Sequence, residues 1–253
     1  IWSMPVCAAI DIGSNALRLK IAECTDAGQI ETLCEERVPV RLGVGAFSDS
    51  GRIPEALINE AVEAITRFKQ LMNTHEVERL RAVATSALRD ASNRKQVLRR
   101  ILDDTGIELE VISGSEEARL IQLGAQLGYP LSDKPVYFLD IGGGSVEVSL
   151  ATASDLVALK SFRLGEVRLT EMFLRDDPPT SGDLTRLAEF IEEESESGAK
   201  ILLAHSQGAD FAIGTGGCIN AIAEVIASGR SNGKAQATAI SRTDVDKLAK
   251  QLR

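Results

Sequence analysis

Histidine is nearly missing from this sequence: His75 and His205 are the only two among 253 residues. Two imidazoles in the whole chain disfavour a histidine-based triad, and both read as surface or helix-end residues. Four cysteines, Cys7, Cys24, Cys34 and Cys218, show no C-x-x-C spacing. With so few imidazoles, that spacing argues against a zinc site, and the thiols read as buried or incidental rather than disulfide-bonded. No apolar run approaches the roughly 18 residues that cross a bilayer. The first residues carry neither a basic start nor a long apolar stretch, and Ile1-Trp2-Ser3 ahead of Met4 reads as an appended remnant. These absences predict a cytoplasmic protein with no membrane partner. Excess positive charge is missing too. The net charge of −9 argues against a nucleic-acid duplex as ligand, because such binding draws most of its strength from Lys and Arg neutralising phosphates. A local anion site remains open, built from a few arginines, backbone amides and a metal ion.

What is present describes an ordinary globular chain, 44% hydrophobic and 26% charged, with mean hydropathy near zero. Its length suits two units of about 120 residues. The loop carrying Gly128, Pro130 and Pro135 divides them into 1–128 and 129–253. Residues 6–23 predict strand, tight turn, strand, with Leu17, Leu19 and Ile21 on one face. Period-two sequence continues over 29–42 and breaks at Gly43-Val44-Gly45. Pro54 opens a helix with Leu57, Ala61, Ile65 and Phe68 at helical spacing. A short strand over 79–85 follows, then a helix capped by Asn93 and stopped by Gly106. Residues 107–112 alternate like a strand, and Ser113 with Glu116 fits a capping box at the head of the next helix. Residues 135–150 again predict strand, glycine turn, strand. Residues 162–174 read as mixed, 183–203 as helix, and 211–213 as a strand leading into a helix through Ile226. The small, polar stretch 228–239 reads as a mobile loop.

The most informative feature is an approximate duplication: Ile10-Asp11-Ile12-Gly13-Ser14-Asn15 and Leu139-Asp140-Ile141-Gly142-Gly143-Gly144-Ser145. Glycines let a turn aim several amides at one point, which suits phosphate oxygens. An aspartate at the strand end supplies a hard oxygen for Mg²⁺, usually through water. No G-x-x-x-x-G-K-[ST] occurs, and a dinucleotide-binding turn would open a helix, whereas residues after both turns alternate with period two. Each turn therefore closes a hairpin. A lone Asp-x-Gly is most simply a hairpin turn; two in matching contexts favour a functional pair. Gly214-Thr215-Gly216-Gly217 differs, being followed by helical spacing, and serves either tight packing or a phosphate contact at a helix start.

At these residues the sequence resembles the exopolyphosphatase and guanosine pentaphosphate phosphohydrolase family, within the actin-like, sugar kinase and Hsp70 superfamily. The blocks that carry the resemblance are AIDIGSNALRL (9–19), VRLGVG (40–45), AVATSALRDASN (82–93), VISGSEEARLIQLG (111–124), FLDIGGGSVEV (138–148), LGEVRLTE (164–171) and IGTGGCINAIA (213–223). The resemblance implies an α/β fold of two ribonuclease-H-like domains flanking a cleft, and Mg²⁺-dependent release of terminal phosphate from inorganic polyphosphate or guanosine pentaphosphate. By position it makes Glu117 the base that activates water. It ties Asp11, Asp140 and Glu147 to the metal-bearing site, Gly13, Ser14, Asn15, Gly142, Gly143, Gly144 and Ser145 to the phosphate loops, and Arg89 to the anion. Gly214, Thr215 and Gly216 would add a third contact. For Glu147 a solvent-facing strand position is the plain alternative, and for Arg168 a helix-surface position.

The family commonly has Thr where this chain has Val146 and Cys218, and its members continue some tens of residues beyond Arg253. Dimerisation is a further family expectation. Two other functions fit the same residues: a non-hydrolytic sensor of polyphosphate or guanosine tetraphosphate, and an ATP-dependent phosphotransferase of the same superfamily.

Overall fold

The computed structural model describes residues 5–25, 29–129, 131–206, 208–229 and 239–251. The first sheet holds β1 (Val6–Ile12), β2 (Leu17–Cys24), β3 (Ile30–Val38), β4 (Arg79–Ala84) and the two-residue β5 (Glu110–Val111), in the order β3-β2-β1-β4-β5. β1, β2 and β3 run antiparallel, while β4 joins β1 in parallel. Alternation decides the faces: Ile10, Ile12, Leu17, Leu19 and Ile21 are all buried, and their neighbours point away. A short turn, α1 (Gly43–Ala46), leads to α2 (Glu55–Thr74), which lays Ile58, Ile65 and Phe68 into this core. Full burial of each such side chain contributes roughly 1.5–3 kcal/mol. A five-residue helix, α3 (Ser86–Asp90), precedes α4 (Arg94–Thr105), which ends at Gly106 in the left-handed region, φ 72°.

The second sheet repeats the plan with β6 (Val136–Ile141), β7 (Val146–Ala151), β8 (Leu156–Phe162) and β9 (Ala212–Thr215), ordered β8-β7-β6-β9. β6 pairs antiparallel with β7 and parallel with β9, as β1 does with β2 and β4. α5 (Gly114–Gly128) packs across β6, β7 and β8. α6 (Glu166–Phe173) lies against α1 and α7 (Ser181–Leu203), α8 (Gly217–Gly229) against β6 and β9, and α9 (Arg242–Gln251) against α8. The two sheets and the cleft between them are the expected pair of ribonuclease-H-like α/β units. Their cores differ: nearly all the main buried cluster belongs to the first sheet, while the second centres on Val136, Phe138 and Ala151. Among the described residues no helix is long and apolar enough to cross a membrane.

Several local expectations change. Asn93 stands at the N-cap of α4 as expected, but its side chain does not cap the helix; its amide exchanges two hydrogen bonds of 3.0 Å with the Ile53 backbone, a partner 40 residues away. Only half of the capping box forms. Ser113 Oγ accepts from the Glu116 amide at 3.1 Å, but the Glu116 carboxylate turns to Arg119 and Arg81, which pull its carboxyl down to about 2. Strand pairing over 107–112 is confined to β5, and β8, α3 and α9 are additional elements. Residues 1–4, and 230–238 of the polar stretch, lie outside the described residues.

Candidate active site

The duplicated hairpins superimpose in register. Asp11 stands opposite Arg18 across β1 and β2, and Asp140 opposite Glu147 across β6 and β7, seven residues on in each case. Both loops close alike: the Gly13 amide donates to the Ala16 carbonyl at 3.1 Å, the Gly142 amide to the Ser145 carbonyl at 3.0 Å. Cross-strand partners share one face of a sheet, so each aspartate meets its partner directly. In the first hairpin that partner is a cation, with Arg18 Nη1 3.5 Å from Asp11 Oδ2. In the second it is a carboxylate. Between the loops opens a cleft of about 350 Å³, lined by Asp11, Arg18, Arg37, Glu117 and Asp140 together with both glycine turns.

The carboxylates crowd this cleft. Glu117 sits in the first turn of α5, where Arg89 Nη1 donates to its Oε2 at 3.3 Å. Burial raises its carboxyl to about 8, Glu147 pushes the same way, and Arg89 opposes them. Glu147 is 2% exposed and accepts from Ser161 Oγ at 2.7 Å. Burial lifts it to about 7 against the hydroxyls of Ser161 and Ser145, with Asp140 adding repulsion. Desolvation also raises Asp11, with Arg18 pulling it back. A negative cluster whose members are driven toward neutrality is one that a bound cation would relieve. Among the described residues no three carboxylate, thiolate or imidazole groups converge tightly enough to cage an ion alone. Such a donor set fits Mg²⁺, which keeps waters and shares its shell with substrate phosphates, better than an all-protein cage.

The second loop is braced from behind by α6. The amides of Glu166 and Arg168 donate to the carbonyls of Gly142 and Gly143 at 3.1 and 3.0 Å, and Arg168 Nε donates to the Gly144 carbonyl at 2.6 Å. With its carbonyls engaged, the loop keeps the Gly143 and Gly144 amides without a partner among the described residues, available to an anion in the cleft. The approach requires glycine at 165, where a Cβ would stand 2.3 Å from the Gly144 backbone. Arg168 is not a helix-surface residue. It is 3% exposed, lies over the Phe47 ring at 4.0 Å, and reaches Asp90 of α3 at 2.6 Å, tying the two halves together.

Other expected residues divide by role. Gly13, Ser14, Asn15, Gly142, Gly143, Gly144 and Ser145 line the cleft, although Ser14 Oγ is already engaged by Ser86 Oγ at 2.9 Å. Glu147 lies behind the lining, buried beside Asp140, and is not solvent-facing. The third loop splits. Gly214 packs against the Ile219 side chain, Thr215 Oγ1 donates to Asp140 Oδ1 at 2.5 Å, and Gly216, at φ +92°, lets the chain pass Asp140 and Ile141 where a Cβ would clash. Gly216, Gly217 and Cys218 reach the cleft. Val146 pairs with Phe162 in the β7–β8 ladder. Three charged cleft residues went unread in the sequence, Arg18, Arg37 and Glu166; Glu166 accepts from Asn15 Nδ2 at 2.8 Å and from Cys218 Sγ at 2.7 Å, closing the mouth between the halves. Burial, with Glu166 nearby, pushes the Cys218 thiol up to about 12.

Paired sheets around a cleft floored by facing Asp-Ile-Gly hairpins define a two-lobed protein of the ribonuclease-H-like class. The chain belongs to the Ppx/GppA phosphatase family, which its residues 21–253 match. It is 32% identical over 217 residues to exopolyphosphatase 1 of Mycobacterium tuberculosis, covering 85% of this chain and 62% of that protein. It is 30% identical over 223 residues to a guanosine-5'-triphosphate,3'-diphosphate pyrophosphatase of Photobacterium profundum, covering 88% of this chain and 44% of that protein. The chain thus spans less than two thirds of either relative. An exopolyphosphatase structure from Cytophaga hutchinsonii shares the fold with a TM-score of 0.86 at 29% identity, covering 98% of this chain and 79% of that one.

Proposed function

We propose that this protein is a Mg²⁺-dependent phosphohydrolase that releases the terminal phosphate of inorganic polyphosphate or guanosine pentaphosphate, with Glu117 as the base. The observation that carries this reading is a buried carboxylate, oriented by Arg89, at the edge of a cleft that offers unpartnered loop amides on one side and arginines on the other. Water attacks the terminal phosphorus, a new P–O bond forms, and the P–O bond to the bridging oxygen breaks. Glu117 accepts the proton of the attacking water, and the shortened chain leaves with the bridging oxygen. The Gly143 and Gly144 amides, with the first loop, hold the phosphoryl oxygens in line. Asp11 and Asp140, with the charge of Glu147 behind them, would hold Mg²⁺, whose chemistry is to offset charge on those oxygens. Burial and the neighbouring Glu147 hold the Glu117 carboxyl above its ordinary range, and positive charge entering beside it favours the ionised form that a base requires.

The division at residues 128 and 129, a cytoplasmic location and dimerisation belong to the same proposal. The test is phosphate release from polyphosphate, guanosine pentaphosphate and ATP, with Mg²⁺ and with EDTA. Release from either of the first two that stops with EDTA supports the reading. Consumption of ATP only when an acceptor is present would replace it with a phosphotransferase. Tight binding without release would replace it with a sensor.

A further inference from the structure

We propose that Asp90 is a positioning residue for the reaction, holding the second phosphate loop in register with Glu117 through Arg168. The inference rests on the reading of Glu117 as the base and adds what fixes that base relative to the phosphate. Asp90 is not part of the cleft lining, so it acts through another side chain rather than on the substrate.

Base and loop come from different places in the chain. Glu117 rides on α5, and Gly143 and Gly144 lie in the turn between β6 and β7. The five-residue α3 meets both. Arg89 Nη1 donates to the Ile112 carbonyl at 2.9 Å and to Glu117 Oε2 at 3.3 Å, which fixes the head of α5 and its carboxylate. Successive side chains leave a helix about 100° apart, so the next residue faces elsewhere. There Asp90 Oδ2 accepts from Arg168 Nη2, and Arg168 Nε donates to the Gly144 carbonyl, both at 2.6 Å. The start of α3 also touches the loop: Gly144 lies so near Ser86 and Ser14 that a Cβ would collide with both hydroxyls. Ser86, Arg89 and Asp90 thus gather base and loop onto a single turn of helix.

The charges give Asp90 its part. Burial works against the Arg168 guanidinium, Asp90 supports it, and Arg163 and Arg89 oppose it. Without the carboxylate, Arg168 keeps its bond to Gly144 but loses its anchor on α3, and the loop it grips is free to shift against Glu117. A misplacement of about 1 Å can cost about 10²-fold in rate. Positive charge behind the loop stays in place, so anion binding survives. The expected mark is a fall in kcat with no rise in KM, which a general loosening of the cleft would not produce. A second ion pair across the same seam provides the comparison: Arg175 Nη2 donates to Asp49 Oδ1 at 2.8 Å, and neither residue lines the cleft or belongs to α3.

The experiment measures kcat and KM for phosphate release from tripolyphosphate with Mg²⁺ in wild type, Asp90→Asn, Asp90→Glu and Asp49→Asn. On the same proteins it follows hydrogen exchange at the amides of Gly142, Glu166 and Arg168, which close and brace the loop. Asp90→Asn should lose about 10–100-fold in kcat with KM within about twofold of wild type, and those three amides should exchange faster. Asp90→Glu restores the charge and should recover most of the rate. Asp49→Asn breaks an exposed pair and should match wild type in both readouts. Arg168→Lys keeps the charge but lacks the fork that spans both partners; it should show the same split, and it serves if Asp90→Asn does not fold. An unchanged kcat in Asp90→Asn, a KM rise that accounts for the loss, or an equal loss in Asp49→Asn would overturn the inference. A wild type that releases no phosphate would sink the hydrolase reading instead; exchange at the three amides then decides whether Asp90 anchors the loop, and unchanged exchange overturns it.

Discussion

The two hairpins share strand order, loop closure and register, yet differ at one position that sets their chemistry. Opposite its aspartate the first presents Arg18, with Arg37 next across the ladder; the second presents Glu147. One copy has become a partly neutralised wall with spare positive charge, suited to phosphate. The other has become a doubled carboxylate, suited to a cation. Duplication alone produces two equivalent half-sites; a single charge reversal between copies produces a polarised cleft. The first half also carries the deeper core, and Arg168 is the strut that holds the second loop against it.

The largest expected effect removes that strut. Arg168→Ala removes a buried guanidinium that bonds Gly144 and Asp90 and stacks on the Phe47 ring, and should cost about 3 kcal/mol, the low end for a broken buried pair because Asp90 still reaches water. A thermal melt should show a fall of about 6–12 °C in Tm. Glu147→Gln makes the second hairpin less unlike the first. Magnesium titration of activity should shift by roughly 10–100-fold, the usual effect of losing a group that supports a metal ligand. An unchanged magnesium requirement would erase the proposed difference between the hairpins.

Arg18→Gln tests the other copy. It should raise KM for the phosphate substrate by about tenfold with kcat little changed, in keeping with one charge-assisted contact to an anion.

The pH dependence follows from Glu117, whose folded carboxyl is raised to about 8 from an ordinary 4.5. The unfolded chain releases that proton first, so its contribution to stability is intact below pH 4.5 and falls as pH rises through about 8. Glu117→Gln should abolish this slope and raise Tm by about 2–4 °C near pH 8, without Mg²⁺. The smallest effect is at the cleft mouth. Glu166→Gln removes a negative charge facing the incoming anion and should tighten tripolyphosphate binding about two- to fivefold, the range of an exposed charge contact.

Both hairpins, α2 and α7 were legible because their periodicity is local and their buried faces are regular. The residues that went unread or misread take their meaning from distant partners. Glu166 bonds to Asn15, 151 positions away, and Arg168 to Asp90, 78 away; on α6 alone both look like ordinary polar residues of an amphipathic helix. Asn93 reads as a cap by position, but the Ile53 backbone captures its amide first. β8 escaped notice because its first residues are exposed apolar side chains at a sheet edge, so alternation is weak. Gly214 and Gly216 look equivalent in sequence and part only once Ile219 packs on one and the Asp140 carboxylate crowds the other.

The central claim is that a buried glutamate on α5 activates water against a phosphate held by the two unlike hairpins. Single-turnover phosphate release by wild type and Glu117→Gln, with Mg²⁺ and tripolyphosphate binding measured on the same samples, tests it most directly. The account predicts that release falls by about 10²–10⁴-fold while binding stays within a few-fold. Release at the wild-type rate in Glu117→Gln would contradict it.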